Sequence, residues 1–209
     1  MADEPARLSK RKYIRHKQFR KTTYPKAKKY LIEDIGARCA YSMLHENQMG
    51  GETCLEVEHF DPRRKKDKIQ RYSNLLLSCR HCNLKKSTKW PTEEQYRKGI
   101  YFIDPTIELD YGKHIFEDPE THEVFGVTPA GKWQILQMDL NAGFLVRKRK
   151  ERAEWNKIKS GQAGVMFECK LGQENEARNS LSRYEDFRQY DIPEIPLKKN
   201  PKRNGIIKA

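Results

Sequence analysis

The chain has 209 residues, of which 36% are hydrophobic and 34% charged, and its formal net charge is +13. This composition predicts a lean core with a heavily charged surface, and the excess of Lys and Arg favours a polyanionic partner, because basic side chains release counterions from phosphates. No run of about 18 apolar residues exists, and the basic N-terminus lacks the apolar segment of a secretory signal, so we expect a cytoplasmic protein with no membrane partner.

Four segments are predicted in chain order. The first is a basic N-terminal arm, the second holds the polar motif, the third is an extension of short strands and two helices that docks a partner or has a regulatory role, and the fourth is a basic, proline-containing tail. Their bounds are 1–24, 25–98, 99–190 and 191–209.

Helix signals flank the polar motif. Pro25 suits the first turn of a helix, apolar residues recur at helical spacing as far as Ile35, and Gly36 suits its end. Thr92 and Gln95 have the spacing of a capping box, which predicts a second short helix.

The extension alternates turn signals with apolar stretches. We predict a strand-rich region, a hairpin and two helices, with the three Trp residues in the core rather than serving as base-stacking platforms. These elements are strands at 101–103 and 114–116, a hairpin that pairs 113–117 with 122–127, and helices at 139–158 and 174–188; the Trp residues are Trp90, Trp133 and Trp155.

The central segment carries the side chains that phosphodiester hydrolysis requires. Glu58 and His59 end a predicted strand, Asn74 opens a second one, and Asn83 follows a Cys-x-x-Cys turn in a predicted helix. Histidine suits the role of a base because its free pKa is about 6.5. Glu58 and Asn83 offer the hard oxygen donors that Mg²⁺ or Mn²⁺ prefers, and the Asn74 amide would fix either the loop or the imidazole.

The position of the acid beside the histidine poses a geometric problem. Neighbours in a flat strand point to opposite faces, so Glu58 and His59 reach one ion only if the strand ends or twists there. Pro62, three residues after His59, favours such an end.

The order of these residues resembles the HNH nucleases of the ββα-metal superfamily: an acid before His59, Asn74 15 residues later (59 to 74) and Asn83 24 residues later (59 to 83). The resemblance covers about residues 37–91. It implies an α+β fold with a ββα-metal hairpin-helix core and metal-dependent cleavage of DNA. It also implies that His59, Asn74 and Asn83 are catalytic, with His59 as general base, and that Glu58 and Asn83 are ligands of Mg²⁺ or Mn²⁺.

The cysteines suggest a second metal. Many HNH proteins hold a structural zinc with two Cys-x-x-Cys turns; here Cys79 and Cys82 fit one turn, but Ser42 stands where Cys39 would have its partner. The alternatives are Cys54, His45 or His81 as the missing ligand, or buried cysteines without zinc. With Cys54 the predicted zinc set is Cys39, Cys54, Cys79 and Cys82.

Basic residues near the motif and in the extension are candidates for phosphate contacts. Lys86 lies one helical turn after Asn83, and a dense basic run follows in the helix predicted at 139–158. A solvated helix face and an acidic protein partner are the alternatives for that run. The candidates are Lys86, Arg147, Lys148, Arg149 and Lys150.

The sequence is also similar to nuclease subunits of bacterial anti-phage defence systems of the Septu or retron-linked type, in the segments 38–42 and 80–83. That resemblance implies a larger ATPase or sensor partner from the same operon. Two other functions remain open: a basic zinc-knuckle module that binds nucleic acid without cutting it, and a stand-alone restriction-type nuclease. The oligomeric state is undetermined.

Overall fold

The computed structural model describes residues 15, 22–65, 71–159 and 197–201. The helix predicted at 174–188, most of the arm at 1–24 and most of the tail lie outside the described residues, as does the side chain of Trp155. In the part of the chain that is described, no helix is long and apolar enough to cross a membrane.

The first helix, α1, spans Tyr24–Ile35 and confirms the predicted start and stop. A proline lies in its first turn, where the missing N–H costs no hydrogen bond. Gly36 ends the helix in the left-handed conformation, with φ 61°, and its N–H donates to the Ile32 carbonyl. The buried face of α1 includes Ala27 and Leu31 and packs on the central hairpin.

That hairpin consists of β1, Leu55–His59, and β2, Leu75–Cys79, which pair antiparallel with His59 opposite Leu75. All five β2 residues are buried, as expected for a strand without polar alternation. Helix α2, Arg80–Lys86, follows β2 directly. The predicted order of strand, loop, strand and helix is therefore confirmed.

Helix α3, Glu93–Arg97, confirms the capping box. The Thr92 hydroxyl accepts from the Gln95 N–H at 3.2 Å, and the Gln95 side chain accepts from the Thr92 N–H at 2.8 Å. The strand expected at residues 101–103 is wrong. This segment is extended, but the Ile103 N–H donates to the Gln134 side chain at 2.8 Å, so it meets a side-chain acceptor instead of a strand partner.

The predicted second hairpin is confirmed by β3, Ile115–Glu117, and β4, Val124–Gly126, which pair antiparallel. With the central hairpin, this makes two small antiparallel sheets in the described chain, and together with the helices they fit the α+β class.

Helix α4, Pro129–Met138, has no counterpart among the predicted elements. The Thr128 hydroxyl caps this helix by accepting from the Gly131 N–H at 3.1 Å. A Cβ atom at Gly131 would lie 2.3 Å from the His114 carbonyl oxygen, so the glycine lets α4 approach the β3 segment.

The last described helix, α5, spans Gly143–Lys159. The start predicted for this helix, residue 139, is wrong, since Asp139 ends α4 in the left-handed conformation, with φ 49°. Beyond the gap, the Lys198 N–H donates to the Glu117 carbonyl at 3.0 Å, which ties the tail to β3.

Candidate active site

His59 is the last residue of β1, and its ring faces α1. The ring lies edge-on to Tyr24, with centroids 5.6 Å apart, and the Tyr24 hydroxyl oxygen is 3.3 Å from Nε2 and 3.4 Å from Nδ1. Partial burial raises the pKa of Tyr24, so its hydroxyl keeps its proton at neutral pH. The first turn of α1 thus contributes a contact to the imidazole, and His59 itself is partly exposed.

Glu58 points to the opposite side, toward α2. Its Oε2 accepts from Lys86 Nζ at 3.0 Å, and its Oε1 accepts from the Tyr41 hydroxyl. Burial raises the pKa of Glu58, and the ammonium and the tyrosine hydroxyl partly offset that effect. As predicted for neighbours in a strand, Glu58 and His59 therefore point to opposite sides of β1.

Lys86 is fully buried, which makes its predicted phosphate contact wrong. Its ammonium group also donates to the His59 carbonyl at 2.7 Å. The Lys86 ammonium group thus links the Glu58 carboxylate with the backbone of the candidate base. Because it is buried, it is not accessible to a nucleic-acid strand at the surface.

Asn83 contacts a carboxylate that was not predicted. Its Nδ2 donates to Glu56 Oε2 at 2.6 Å, and the Glu56 side chain is about one-third exposed. Alternation in a strand places residues 56 and 58 on one face, so the sequence did hold a signal for Glu56. Since α2 lies on that face, Glu56 and Glu58 are both near it.

Asn74 holds the loop that follows His59. Its Oδ1 accepts from the Asp61 N–H and its Nδ2 donates to the Asp61 carbonyl, both at 2.9 Å. The side chain is buried, and the Asn74 carbonyl also accepts from the Phe60 N–H at 2.9 Å. Of the two roles expected for this amide, these contacts correspond to fixing the loop.

Asp61 in turn orders the basic residues behind it. Its carboxylate accepts from Arg63 Nε at 3.0 Å and lies 3.1 Å from Arg64 Nε. Burial alone would raise the pKa of Asp61, but the hydrogen bonds and positive charge of the arginines outweigh it and lower the pKa. The loop that follows His59 therefore carries two oriented guanidinium groups.

Three buried thiols form a cluster outside this site. The sulfur atoms of Cys39, Cys79 and Cys82 lie within 4.8 Å of one another, which is a spacing that a zinc ion would suit. We call these residues the cysteine cluster. Ser42 lies beside it, with its hydroxyl oxygen 3.9 Å from Cys79 Sγ and its N–H donating to Cys39 Sγ at 3.4 Å.

The cluster favours negative charge on one sulfur. Burial alone would raise the pKa of Cys39, but hydrogen bonds with Cys79 and Cys82 outweigh it and lower the pKa well below its usual range. Those same hydrogen bonds raise the pKa of Cys79 to about 12 and that of Cys82 well above its usual range. A metal cation would allow all three to act as thiolates.

The other proposed zinc ligands lie elsewhere. Cys54 donates to the Met49 carbonyl at 2.7 Å and is not part of the cluster, so its predicted place in the zinc set is wrong. His45 accepts from the Asn47 N–H at 3.2 Å, and His81 contacts the Asp139 carbonyl at 3.2 Å. Each of these side chains has a local hydrogen-bonding role instead.

The basic run on α5 separates into inner and outer residues. Arg149 is only 1% exposed and donates to the carbonyls of His122 at 2.6 Å and Leu140 at 2.9 Å, so its predicted phosphate contact is wrong. Arg147 and Lys150 are exposed, whereas Lys148 is partly exposed and pairs with Glu151 at 2.7 Å. Helical periodicity turns Arg149 toward the turn between β3 and β4 and leaves Arg147 and Lys150 exposed.

The donor set beside α2 fits a hard divalent cation. It comprises the carboxylates of Glu56 and Glu58 and the amide oxygen of Asn83, the ligand types that Mg²⁺ and Mn²⁺ prefer. Glu56 is accessible from solvent, whereas Glu58 would have to exchange Lys86 for the ion. The donor set therefore fits a divalent cation on the α2 side of β1, opposite the side that carries the His59 ring.

A known protein family matches the part of the chain that contains the candidate site. Residues 38–89 match the family model described as HNH endonuclease, and the match contains both strands of the central hairpin and α2. No curated protein and no solved structure matches the chain.

Proposed function

We propose that the HNH domain at residues 38–89 is an active metal-dependent endonuclease that hydrolyses DNA phosphodiester bonds. The observation that carries the proposal is that His59 ends β1, Asn74 directly precedes β2 and Asn83 lies in α2 of the matched hairpin-helix. The strongly basic composition supports a nucleic acid as the substrate.

His59 is the general base in this proposal. It lies where β1 ends, so its ring is accessible to a water molecule that attacks phosphorus. Tyr24 limits ring rotation from the α1 side, and Lys86 holds the His59 carbonyl. Asn74 fixes the next turn of backbone, so the base keeps its position when the proton is transferred.

Asn83 and the β1 carboxylates hold the metal. When bound, Mg²⁺ or Mn²⁺ supplies electrostatic stabilisation for charge on the phosphate and the leaving 3′ oxygen. Glu56 is the accessible carboxylate beside Asn83, and Glu58 is the one that the HNH resemblance predicts as a ligand. The guanidinium groups of Arg63 and Arg64 would contact the strand near the cut.

The proposed cleavage is weakly sequence-specific. The basic residues named here are suited to phosphate contacts, which position a duplex without reading its bases. Exposed Arg147 and Lys150 on α5 are further candidates for phosphate contacts, outside residues 38–89.

Plasmid cleavage with Mg²⁺ or Mn²⁺ tests the proposal. We expect the wild type to cut and EDTA to abolish cutting, with His59→Ala slower by about 10²- to 10⁴-fold, the contribution of a general base. His81→Ala is the matched control, because its ring contacts the Asp139 carbonyl instead of the candidate base. Equal cutting by His59→Ala and the wild type would refute the assigned base.

The same assay separates the two carboxylates. Loss of a metal ligand raises the Mg²⁺ concentration needed for half-maximal cutting, so we compare Glu56→Gln with Glu58→Gln. If this Mg²⁺ concentration rises only in Glu56→Gln, the ion is held by Glu56 and Asn83. A rise only in Glu58→Gln means that Lys86 is displaced when the ion binds.

We further propose that the nuclease is the effector of an anti-phage defence system and acts with a larger ATPase or sensor protein. The similarity of segments 38–42 and 80–83 to such nuclease subunits supports this role, and restraint by a partner would limit damage to host DNA. Co-purification from the native operon tests it: a stable complex with a larger protein is expected, and a protein that elutes alone would contradict it.

The competing function is a module that binds nucleic acid without cutting. The cysteine cluster is the observation that favours it, since zinc-knuckle scaffolds occur in binding proteins. Saturable DNA binding with no cutting under any metal condition, by a preparation that contains any co-purified partner, would favour that module.

A further inference from the structure

A groove of about 720 Å³ opens beside the loop that follows His59. Aromatic and aliphatic side chains form most of its wall, and charged side chains lie around it. We call it the aromatic groove. Its apolar members are Phe60, Trp90, Tyr96, Tyr101, Phe102 and Ile107.

The aromatic groove is bordered by the residues that follow His59 in the chain. Phe60 is the residue after His59, and its ring lies edge-on to Trp90 with centroids 5.5 Å apart. Lys86 Nζ lies 6.0 Å from the centroid of the Phe60 ring and donates to the His59 carbonyl. Asn74, which fixes the loop after His59, also borders the groove.

The outer wall exposes apolar surface that the fold leaves uncovered. Tyr96 is 60% exposed and Ile107 is 71% exposed. The Tyr96 and Tyr101 rings lie 5.6 Å apart, and the capping box of α3 fixes the backbone that carries Tyr96. Rigid aromatic rings at a partly exposed wall are suited to stacking against a flat ligand.

Arginine and carboxylate side chains lie on different parts of the groove wall. The Arg63 guanidinium is held by Asp61 and lies 4.8 Å from the centre of the Trp90 ring, a position from which it can meet a phosphate at the rim. On the other wall, Glu108 is paired with Lys113 at 2.6 Å and contacts His114 at 3.1 Å. A neutral base therefore fits the interior, with its phosphate toward the arginines.

Three other acids face the groove. Asp61 is neutralised by its arginines, and Asp104 accepts from the Thr106 N–H and hydroxyl at 2.9 and 2.7 Å. Glu93 is exposed at the start of α3. These carboxylates oppose a phosphate inside the groove but can accept hydrogens from the exocyclic amino groups of adenine, cytosine or guanine.

We propose that the aromatic groove binds an unpaired nucleobase of the strand that is cut, which makes DNA with single-stranded or unpaired nucleotides the preferred substrate class. The inference rests on the proposed nuclease function and adds the substrate. A base within a duplex presents only its edges, so it enters the groove only after it leaves the stack. Single strands and flaps avoid that cost, whereas an intact duplex must meet it.

Binding measured in EDTA tests this without any cutting. Fluorescence anisotropy compares a labelled single strand with the corresponding duplex, using the wild type, Tyr96→Ala and Tyr96→Phe. We expect the single strand to bind more tightly than the duplex, and Tyr96→Ala to weaken single-strand binding about tenfold, as for loss of one stacked base. Tyr96→Phe retains the ring and should bind like the wild type.

Leu136→Ala is the matched surface control, since Leu136 is 74% exposed on α4 and does not line the groove. A series of strands, each with one abasic position, adds a second test. If a base occupies the groove, one abasic position lowers wild-type affinity about as much as Tyr96→Ala does, and the two changes together cost no more than either alone.

The outcomes separate this inference from the nuclease proposal. Unchanged single-strand binding by Tyr96→Ala would overturn the groove as a base site, and such a groove would instead suit a protein segment. An equal loss for single strand and duplex would also overturn it. Loss restricted to the single strand supports the inference even if the protein never cuts, in which case only the nuclease proposal fails.

Discussion

Replacement of Lys86 by Met should strongly destabilise the protein. Lys86 is fully buried, Glu58 is 3% exposed at its side chain, and their charged atoms are 3.0 Å apart. Removing one partner of a buried pair costs about 3–5 kcal/mol, because the other charge stays buried without compensation. Met fills a similar volume, so the loss reflects charge and hydrogen bonding. Urea unfolding at pH 8 should show this loss, together with a Tm lower by about 10 °C.

The pH dependence identifies the cause. Burial already raises the pKa of Glu58, and loss of the ammonium raises it further. A carboxyl whose pKa is higher in the folded than in the unfolded state loses stability as pH rises from about 4.3 through the folded value. The deficit of Lys86→Met should therefore shrink at acidic pH, and the added change Glu58→Gln should recover part of the loss at pH 8.

Lys85→Met is the control for this prediction. Lys85 precedes Lys86 on α2 but is 47% exposed and pairs with half-exposed Asp139 at 2.9 Å. A surface pair of this kind contributes about 0–1 kcal/mol. If Lys86→Met loses no more stability than Lys85→Met, the buried pair does not have the assigned energetic role, and the account of how His59 is held would have to be abandoned.

Two further predictions concern metal and acid. Elemental analysis of the purified protein should find about one zinc per chain. Cys79→Ser should lose the metal, whereas Cys54→Ser should retain it. Equal zinc loss in both variants would contradict the assigned ligands. Burial, with a contribution from Arg38, lowers the pKa of His45 to about 4. The pKa of a histidine in the unfolded chain is about 6.5. The contribution of neutral His45 to the free energy of unfolding is therefore fully present above pH 6.5, and up to about 3 kcal/mol is lost as the pH falls to 4. In His45→Gln, the urea midpoint of unfolding should vary less between pH 4 and 6.5 than in the wild type. An unchanged pH dependence would show that His45 is not its source.

Interactions between residues close in sequence determined much of this fold. The Pro25 and Gly36 signals predicted α1, the spacing of Thr92 and Gln95 predicted α3, and the central motif predicted the order of strand, loop, strand and helix. Helix caps depend on hydrogen bonds between residues a few positions apart, so they can be predicted from a single sequence. Helix α4 carries a similar cap at Thr128, although no helix is predicted there.

Only the tertiary structure decided which polar side chains face inward. Lys86 and Arg149 each lie in a run of basic residues. The packing of β1 on α2 makes Lys86 a buried partner of Glu58, and the approach of α5 to the turn between β3 and β4 makes Arg149 a buried partner of backbone carbonyls. Likewise, Cys54 is absent from the cysteine cluster although its spacing allowed it. The physical reason is that burial and charge pairing depend on groups many residues apart, whose approach is set by the packed core and leaves no local signal in the sequence.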